Sequence, residues 1–454
     1  MDFSKAYDFV LRHKLFACLK RLGCGLVMLG SLIAMYSVTE SVVGSAVISA
    51  TIGVRQGLAT SCFLFIVYVN ELIGKVKEEC QPEGFLRWLH ILMLMDDTVL
   101  LSTSRSGMEK KLNILCKFCE EYGMKINVGK TQFFVINGVP DDVRPICVHG
   151  ITIDPCNNYI YLGSPFTSNG STSSAIKEHA KAKLCHVLKF VSFIKKNNDI
   201  PFIVKRRVFD AALMSSLLYG CESWIGGDIK PIIKLYNWAM KELLSVRKTT
   251  PNIICYAELG YPSLPDFVKY RQHRFFLRMW RERNTMDDDP LIFAMRTATT
   301  ENTSVGKIVQ NMIRTDVPAF STLVENVHEA INNSDTSRCR VYREINPAYE
   351  VHSVYNARRA VNDLHRISFS RFRLSAHNLA IETGRWNRRG RGRLPIEERR
   401  CECGLIQTEK HVIEHCAKTQ HLREFYGIRS LDELFSLNID LVCKIVYDVL
   451  RVYT

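Results

Sequence analysis

The 454-residue sequence predicts an α+β fold, and three observations carry that prediction. From residue 1 to about 168, short apolar runs of strand type alternate with amphipathic helical stretches. From about 174 to 300 the apolar residues recur at three- and four-residue steps, a helical spacing. Hydrophobic residues make up 47% of the chain and charged residues 23%, a composition able to bury a core. The length exceeds the roughly 100–200 residues of one usual domain, so more than one is expected.

The elements follow in order. "LGCGLVMLGSLIAMYSVT" (residues 22–39) has no charged residue. It approaches the roughly 18 apolar residues of a membrane span. It also holds three glycines, two serines and a threonine, so it reads as a buried helix leading into a strand. Membrane insertion is the lesser alternative, and no stable membrane association is expected. "MDFSKAYD" has no basic start of the secretory kind, so secretion is not expected. In "GMEKKLNILCKFCEEYGMKINVGKTQFFVI", Leu112, Leu115, Cys116 and Cys119 follow helical spacing and Gly123 ends the helix. "QFFVI" then reads as a strand, and "YIYLG" (159–163) as another that ends in a turn. "SSAIKEHAKAKLCHVLKFVSFIKK" and "FIVKRRVFDAALMSSLLYGCESW" are amphipathic helices with a basic side. "YRQHRFFLRMWRER" (270–283) is basic, amphipathic and aromatic, whereas 284–350 is more polar and broken by Asp-Asp-Asp-Pro. The stretch 371–400 has nine arginines against three glutamates, and "NRRGRGR" within it reads as a flexible basic loop.

The net charge of +14 and a pI near 9.1 point to an acidic partner, most often nucleic acid. A merely soluble basic protein is the plainer alternative. Most of the 16 cysteines, among them Cys62, Cys116, Cys119, Cys221 and Cys255, stand singly in apolar stretches. Small buried hydrophobes do so, which argues for a reducing compartment and against a disulfide framework.

"ILMLMDDTVLLS" sets Asp96 and Asp97 in the middle of an apolar run. An unpaired ion in a dry core costs several kcal/mol, so the pair reads as the exposed tip of a β-hairpin. Adjacent carboxylates repel, and hard Mg²⁺ relieves the repulsion because it takes carboxylate oxygens. A third carboxylate from elsewhere would complete a two-metal site for nucleotidyl transfer. Taken alone, the pair reads first as an ordinary acidic turn.

Five segments in order change that balance. They are Asp2 with Ala6, Tyr7 and Asp8; Gly53, Gln56, Gly57 and Ser61; "LMDDTVLLS"; Asn127 and Lys130 in "INVGKT"; and "YIYLG". In order and spacing they resemble the reverse transcriptases of non-LTR (LINE-type) retrotransposons. "SSLLYGCESW", "TPNIICYAELGYPSL" and "RLSAHNLAIETGRW…RLPIEERRCECG…TEKHVIEHC" are similar to the family's later segments, so the resemblance covers nearly the whole chain.

The resemblance implies a right-hand polymerase palm with an antiparallel sheet over 1–168 and a helical thumb and connection over 169–300. It then implies a helical linker over 301–390, a zinc knuckle over 391–425 and a terminal helix over 426–454. Asp2, Asp96 and Asp97 would be the carboxylates that hold two Mg²⁺. Tyr7 would lie under the sugar and reject a 2′-hydroxyl; core packing is the alternative. Gln56 and Gly57 would lie against the template–nucleotide pair, and Lys130 near the triphosphate, unless it is a solvated surface lysine. The implied partners are an RNA template, a DNA primer and a deoxynucleoside triphosphate. The implied setting is a ribonucleoprotein in the nucleus or cytoplasm.

"CECGLIQTEKHVIEHC" gives Cys401, Cys403, His411 and Cys416 in a C-x-C-x₇-H-x₄-C spacing. Three thiolates and an imidazole suit tetrahedral Zn²⁺, one structural ion. Free thiols are the alternative, and His415 is a second candidate ligand. His411 and Cys416 would face the same way from one helix. With the arginines just before it, the site reads as a nucleic-acid grip. Arg385, Arg388, Arg389, Arg391 and Arg393 would meet phosphates, and Trp386 would stack on a base.

The sequence also departs from the family. It starts one residue before Asp2, so the fingers and an endonuclease domain are expected to be missing, and activity to be weak or lost. Leu94 stands where an aromatic is common, Met95 where alanine is, and Cys62 where proline is. A non-catalytic nucleic-acid-binding remnant of the same fold is the alternative function.

Overall fold

The structure is a computed structural model. It describes all residues except 38, 283–294, 298, 301–302, 387–391 and 454. The chain forms two compact units: Met1–Ala175 with the described part of Arg283–Gly306, and Ile176–Glu282 with Lys307–Thr454.

The first unit is mixed. Among the described residues, helices α1 (Arg12–Arg21), α2 (Leu26–Ser37), α3 (Ala59–Glu79) and α4 (Arg105–Tyr122) accompany nine short strands. β1 (Glu40–Val43) pairs with β2 (Ala46–Ser49), and β3 (Ile91–Leu94) with β4 (Asp97–Leu100). β5 (Gln132–Phe133), β7 (Ile151–Pro155) and β6 (Ile146–Val148) form a three-stranded sheet in that order, and β8 (Asn158–Tyr161) pairs with β9 (Ser164–Thr167). The expected antiparallel pairing is present as several small sheets, and β5 pairs with β7 in parallel. "QFFVI" contributes only two residues to its strand.

The core lies between α1, α3 and α4. Leu15, Phe65, Tyr68, Leu72, Leu115 and Phe118 are buried there. Helix α4 matches the predicted spacing: Leu112, Leu115, Cys116 and Cys119 face inward. Ser104 caps its start by accepting from the Gly107 amide, and Gly123 ends it at φ +67°, a conformation favourable to glycine. Helix α3 is long and apolar enough to cross a membrane, and here its inner side supplies Leu64, Phe65, Tyr68, Leu72 and Val76 to the core.

The expectation for residues 22–39 needs correction. The segment is a helix leading into a strand, but only Leu29 and Tyr36 of α2 are buried. Leu26, Val27 and Met28 are exposed. An apolar helix with no polar face carries no periodicity to say which side turns inward. The tail of α2 is held by Arg12, whose buried guanidinium donates to the carbonyls of Tyr36 (2.9 Å), Ala50 (2.7 Å), Ile52 (3.2 Å) and Gly53 (2.9 Å).

One buried ion pair contributes to the acid stability of this unit. Lys111 is fully buried and pairs with Glu83. Burial pushes the Glu83 carboxyl up, but hydrogen bonds from Lys111, Ser102 and the Thr103 amide outweigh it and hold the pKa at about 2. A carboxylate held below its unfolded pKa stabilises the fold above that pKa and loses the contribution as pH falls. The loss should run from about pH 4.5 down to about 2 and total about 3 kcal/mol. Glu83→Gln should flatten the acid limb of stability against pH in that window; an unchanged limb would remove Glu83 from the account.

The second unit is helical. Helix α5 (Thr172–Lys196) and the segments up to Ile439–Arg451 share one core that includes Val187, Phe209, Tyr236, Tyr342, Phe372, Val412, Ile413 and Val442. The described residues from Lys307 onward, which span most of the expected linker, the knuckle and the terminal helix, thus belong to this same unit. At its centre Glu258, in the helix Asn252–Leu259, is fully buried. It accepts from Arg373 Nε (2.6 Å) and Nη2 (3.1 Å), Tyr342 Oη (2.9 Å) and Tyr355 Oη (2.8 Å).

Candidate active site and metal centre

The apolar runs flanking Asp96 and Asp97 form the expected hairpin. Leu94 pairs with Asp97 across it, and Met95 and Asp96 make the turn. Met95 sits at φ +56°, an uncommon left-handed position for a methionine. Residues 1–4 run beside β4. The Thr98 amide donates to Met1 O (3.2 Å), and the Met1 amino group donates to Thr98 O (2.8 Å). On the other side the Asn127 amide donates to Asp2 O (2.9 Å). This three-segment arrangement brings Asp2 next to the hairpin that carries Asp96 and Asp97.

Asp2 has partners already: Lys130 Nζ lies 3.2 Å and Asn127 Nδ2 3.3 Å from Oδ2. Among the described residues the three aspartates do not gather at ion-sharing distance as the cysteine group below does. Lys130 supplies the compensating positive charge on Asp2. The donors present, carboxylate oxygens at an open edge, fit a hard divalent cation.

A cleft of about 970 Å³ gathers the separated motif residues. Asp2, Tyr7, Gln56, Gly57, Asp96 and Lys130 all line it, and Asp97 does not. Tyr7 stacks on Phe65 with ring centroids 4.9 Å apart, so its ring is fixed by α3. Its hydroxyl meets Cys62 Sγ at 3.6 Å, and burial followed by Cys62 pushes its pKa up to about 12. It therefore stays protonated near neutral pH. Gln56 Nε2 donates to Asp8 Oδ1 (3.0 Å), which fixes the amide's direction. Gly53 stands at φ +85°, and a Cβ there would lie 2.9 Å from Asp8 O. Gly57, at φ +87°, has open space where a Cβ would point.

Two further residues approach the carboxylates. Burial raises the pKa of Tyr159, with Asp97 and Asp2 adding to the rise; burial and then Asp97 raise that of Tyr161. The Y-I-Y alternation on β8, which sets both tyrosines on one face, is the sequence signal for them.

The second centre is compact. The ligand atoms of Cys401, Cys403, His411 and Cys416 all lie within 4.8 Å of one another. Cys401 Sγ and Cys416 Sγ are 3.6 Å apart, and Cys403 Sγ lies 3.2 Å from His411 Nε2. Thr408 caps the helix Glu409–Glu414 by accepting from the His411 amide at 3.1 Å, which fixes the imidazole's backbone. Cys416 lies beyond the end of that helix rather than on it, and its amide donates to His411 O at 2.9 Å. His415, the second candidate ligand, is turned away towards Glu414 Oε2 at 3.5 Å. Tyr453 Oη donates to Cys416 Sγ at 2.9 Å. The set fits a tetrahedral ion.

The basic segment before it divides. Arg385 is corrected from a phosphate contact to a structural residue, because its Nε donates to buried Glu382 (2.8 Å) and its Nη2 to Ser337 Oγ (2.7 Å). Trp386 is half-exposed, with Arg338 over its ring at 5.7 Å. Arg393 is exposed. Arg388, Arg389 and Arg391 lie outside the described residues.

The first unit thus sets the hairpin carboxylate of Asp96 beside a cleft lined by Asp2, Tyr7, Gln56 and Lys130. Residues 1–166 match the family described as reverse transcriptase (RNA-dependent DNA polymerase). An uncharacterized transposon-derived protein of Caenorhabditis elegans is 25% identical over 146 residues, 29% of this chain and 48% of that protein. The match thus spans about half the length of this curated relative. The similarity to a reverse transcriptase domain is thus confined to the first 166 residues.

Proposed function

We propose that this chain copies RNA into DNA for a non-LTR (LINE-type) retrotransposon, within a ribonucleoprotein inside the cell. The observation that carries this reading is the meeting of Asp2, Tyr7, Gln56, Gly57, Asp96 and Lys130, separated in sequence, in one cleft. Asp2, Asp96 and Asp97 would hold two Mg²⁺. Bound there, the ions would activate a primer 3′-hydroxyl and offset the charge of the leaving pyrophosphate. Lys130 has a mostly exposed side chain, so it is free to turn from Asp2 to a triphosphate. Tyr7, held flat against Phe65, sets a wall beneath the sugar. Gln56, aimed by Asp8, and Gly57, open on its Cα, face the template–nucleotide pair. The three thiolates and one imidazole of the second centre suit Zn²⁺.

Primer extension on an RNA template with Mg²⁺ tests the reading. Asp96→Ala should lower extension by about 10³-fold or more, since metal stabilisation is worth several kcal/mol. Equal extension by wild type and variant would refute the site. The engagement of Asp2 by Lys130 favours a second reading, a nucleic-acid-binding remnant without catalysis. RNA binding with no Mg²⁺-dependent extension would select it.

A further inference from the structure

The helix Ile439–Arg451 buries Val442, Cys443, Ile445, Val446 and Val449 in the core of the helical unit. Asn438 caps its start by accepting from the Leu441 amide at 3.0 Å. Just past its last turn the Tyr453 amide donates to Leu450 O (3.2 Å), and the Tyr453 ring lies against the same core. That turn carries the phenol to the cysteine centre, where its hydroxyl donates to Cys416 Sγ at 2.9 Å.

The sulfur of Cys416 has a use for such a donor. Cys416 is fully buried, so water does not solvate it, whereas Cys403 is exposed. Three thiolates and a neutral imidazole around Zn²⁺ leave one excess negative charge. A buried charge without hydrogen bonds is costly. The backbone of Cys416 is held by other groups: Arg423 Nη1 (2.6 Å) and Thr419 Oγ1 (3.2 Å) donate to its carbonyl. Thr419 Oγ1 also donates to Val412 O at 2.7 Å, which ties that carbonyl to the helix Glu409–Glu414. Arg423 and Thr419 therefore place the residue, and Tyr453 acts on its sulfur.

We propose that the Tyr453 hydroxyl donates to the metal-bound Cys416 thiolate and so retains the ion, coupling metal occupancy to the docking of the helix Ile439–Arg451. The proposal rests on the reading of the four ligands as a zinc centre. Loss of a hydrogen bond to a metal ligand commonly lowers metal affinity by about 10–100-fold. A donor on the sulfur also draws charge from it and lowers the energy of its lone pairs.

The test compares the full chain with Tyr453→Phe, which keeps the ring in the core and removes only the oxygen. Competition for Zn²⁺ with a chromophoric chelator should show an affinity about 10–100-fold lower in the variant. In the Co²⁺-loaded variant the sulfur-to-metal charge-transfer band should move to lower energy, a shift that a packing role would not produce. The metal-free forms should melt alike. Should Tyr453→Phe not fold, the full chain made with fluorotyrosine, a stronger donor, decides: its cobalt band should move to higher energy. An unchanged affinity and band overturns the proposal. So does a metal-free variant that melts well below the wild type while its cobalt band stays put, which would give Tyr453 a packing role only. A wild type that takes up neither ion sinks the zinc reading itself, and the proposal with it.

Discussion

Glu258→Ala should destabilise the helical unit by about 3–5 kcal/mol, the usual loss when one partner of a buried ion pair is removed. Four hydrogen bonds from three residues end on this carboxylate. Its loss leaves the Arg373 guanidinium, 3% exposed at the side chain, without a counter-charge. It also leaves the hydroxyls of Tyr342 and Tyr355 with one fewer acceptor each. Glu258→Gln keeps the shape and two acceptor lone pairs but drops the charge, so it should fall between wild type and alanine. Urea unfolding followed by a probe in the helical unit measures the difference. A loss under about 1 kcal/mol for alanine, the scale of a single ordinary hydrogen bond, would show that the network does not anchor this core.

Removal of an ion held by Cys401, Cys403, His411 and Cys416 should have the second large effect. Structural zinc in small modules contributes about 10–16 kcal/mol of binding free energy, and that energy is folding energy. Here the four ligands are not on a free-standing knuckle. Val412 and Ile413, between His411 and Cys416, are buried in the common core, and Tyr453 is bonded to Cys416. Chelation should therefore loosen the backbone beyond the ligand loop, reaching the helix Ile439–Arg451. Hydrogen exchange should show lost protection in both regions and none lost in Met1–Ala175. Cys403→Ser should lower the metal content below one ion per chain. A purified chain without metal, whose exchange pattern ignores chelator, would dismiss the centre.

Legibility in the sequence followed the range of each interaction. The aspartate hairpin was readable because strand-like runs flank it directly. The helix ending at Gly123 was readable because its stop signal is local. The cysteine spacing disclosed the second centre, although Cys416 proved to lie past its helix. That Asp2 stands beside the hairpin was readable only through the family resemblance, since no local pattern reports a partner so far along the chain. Glu258 gave no signal at all. It is one acid in an apolar helix, and its counter-ion is 115 residues away. Arg385 misled because arginines in a basic run look alike, and only the fold shows that Glu382 and Ser337 claim this one. The exposed side of α2 was hidden for the opposite reason, too much apolar sequence and no contrast.

The threading of residues 1–4 between β4 and the segment at Lys125–Asn127 has a consequence for the order of folding. Met1 bonds to a residue 97 positions on, and the Asp2 side chain to one 125 positions on. Residues 1–4 are thus among the last in this unit to find their partners. Loop closure of that length is slow compared with helix formation, so α1 and α3 form before residues 1–4 dock. The cleft lined by Asp2 and Asp96 is completed only by that closure, and until then the edge of β4 that Met1 covers is open to any other chain that offers a partner.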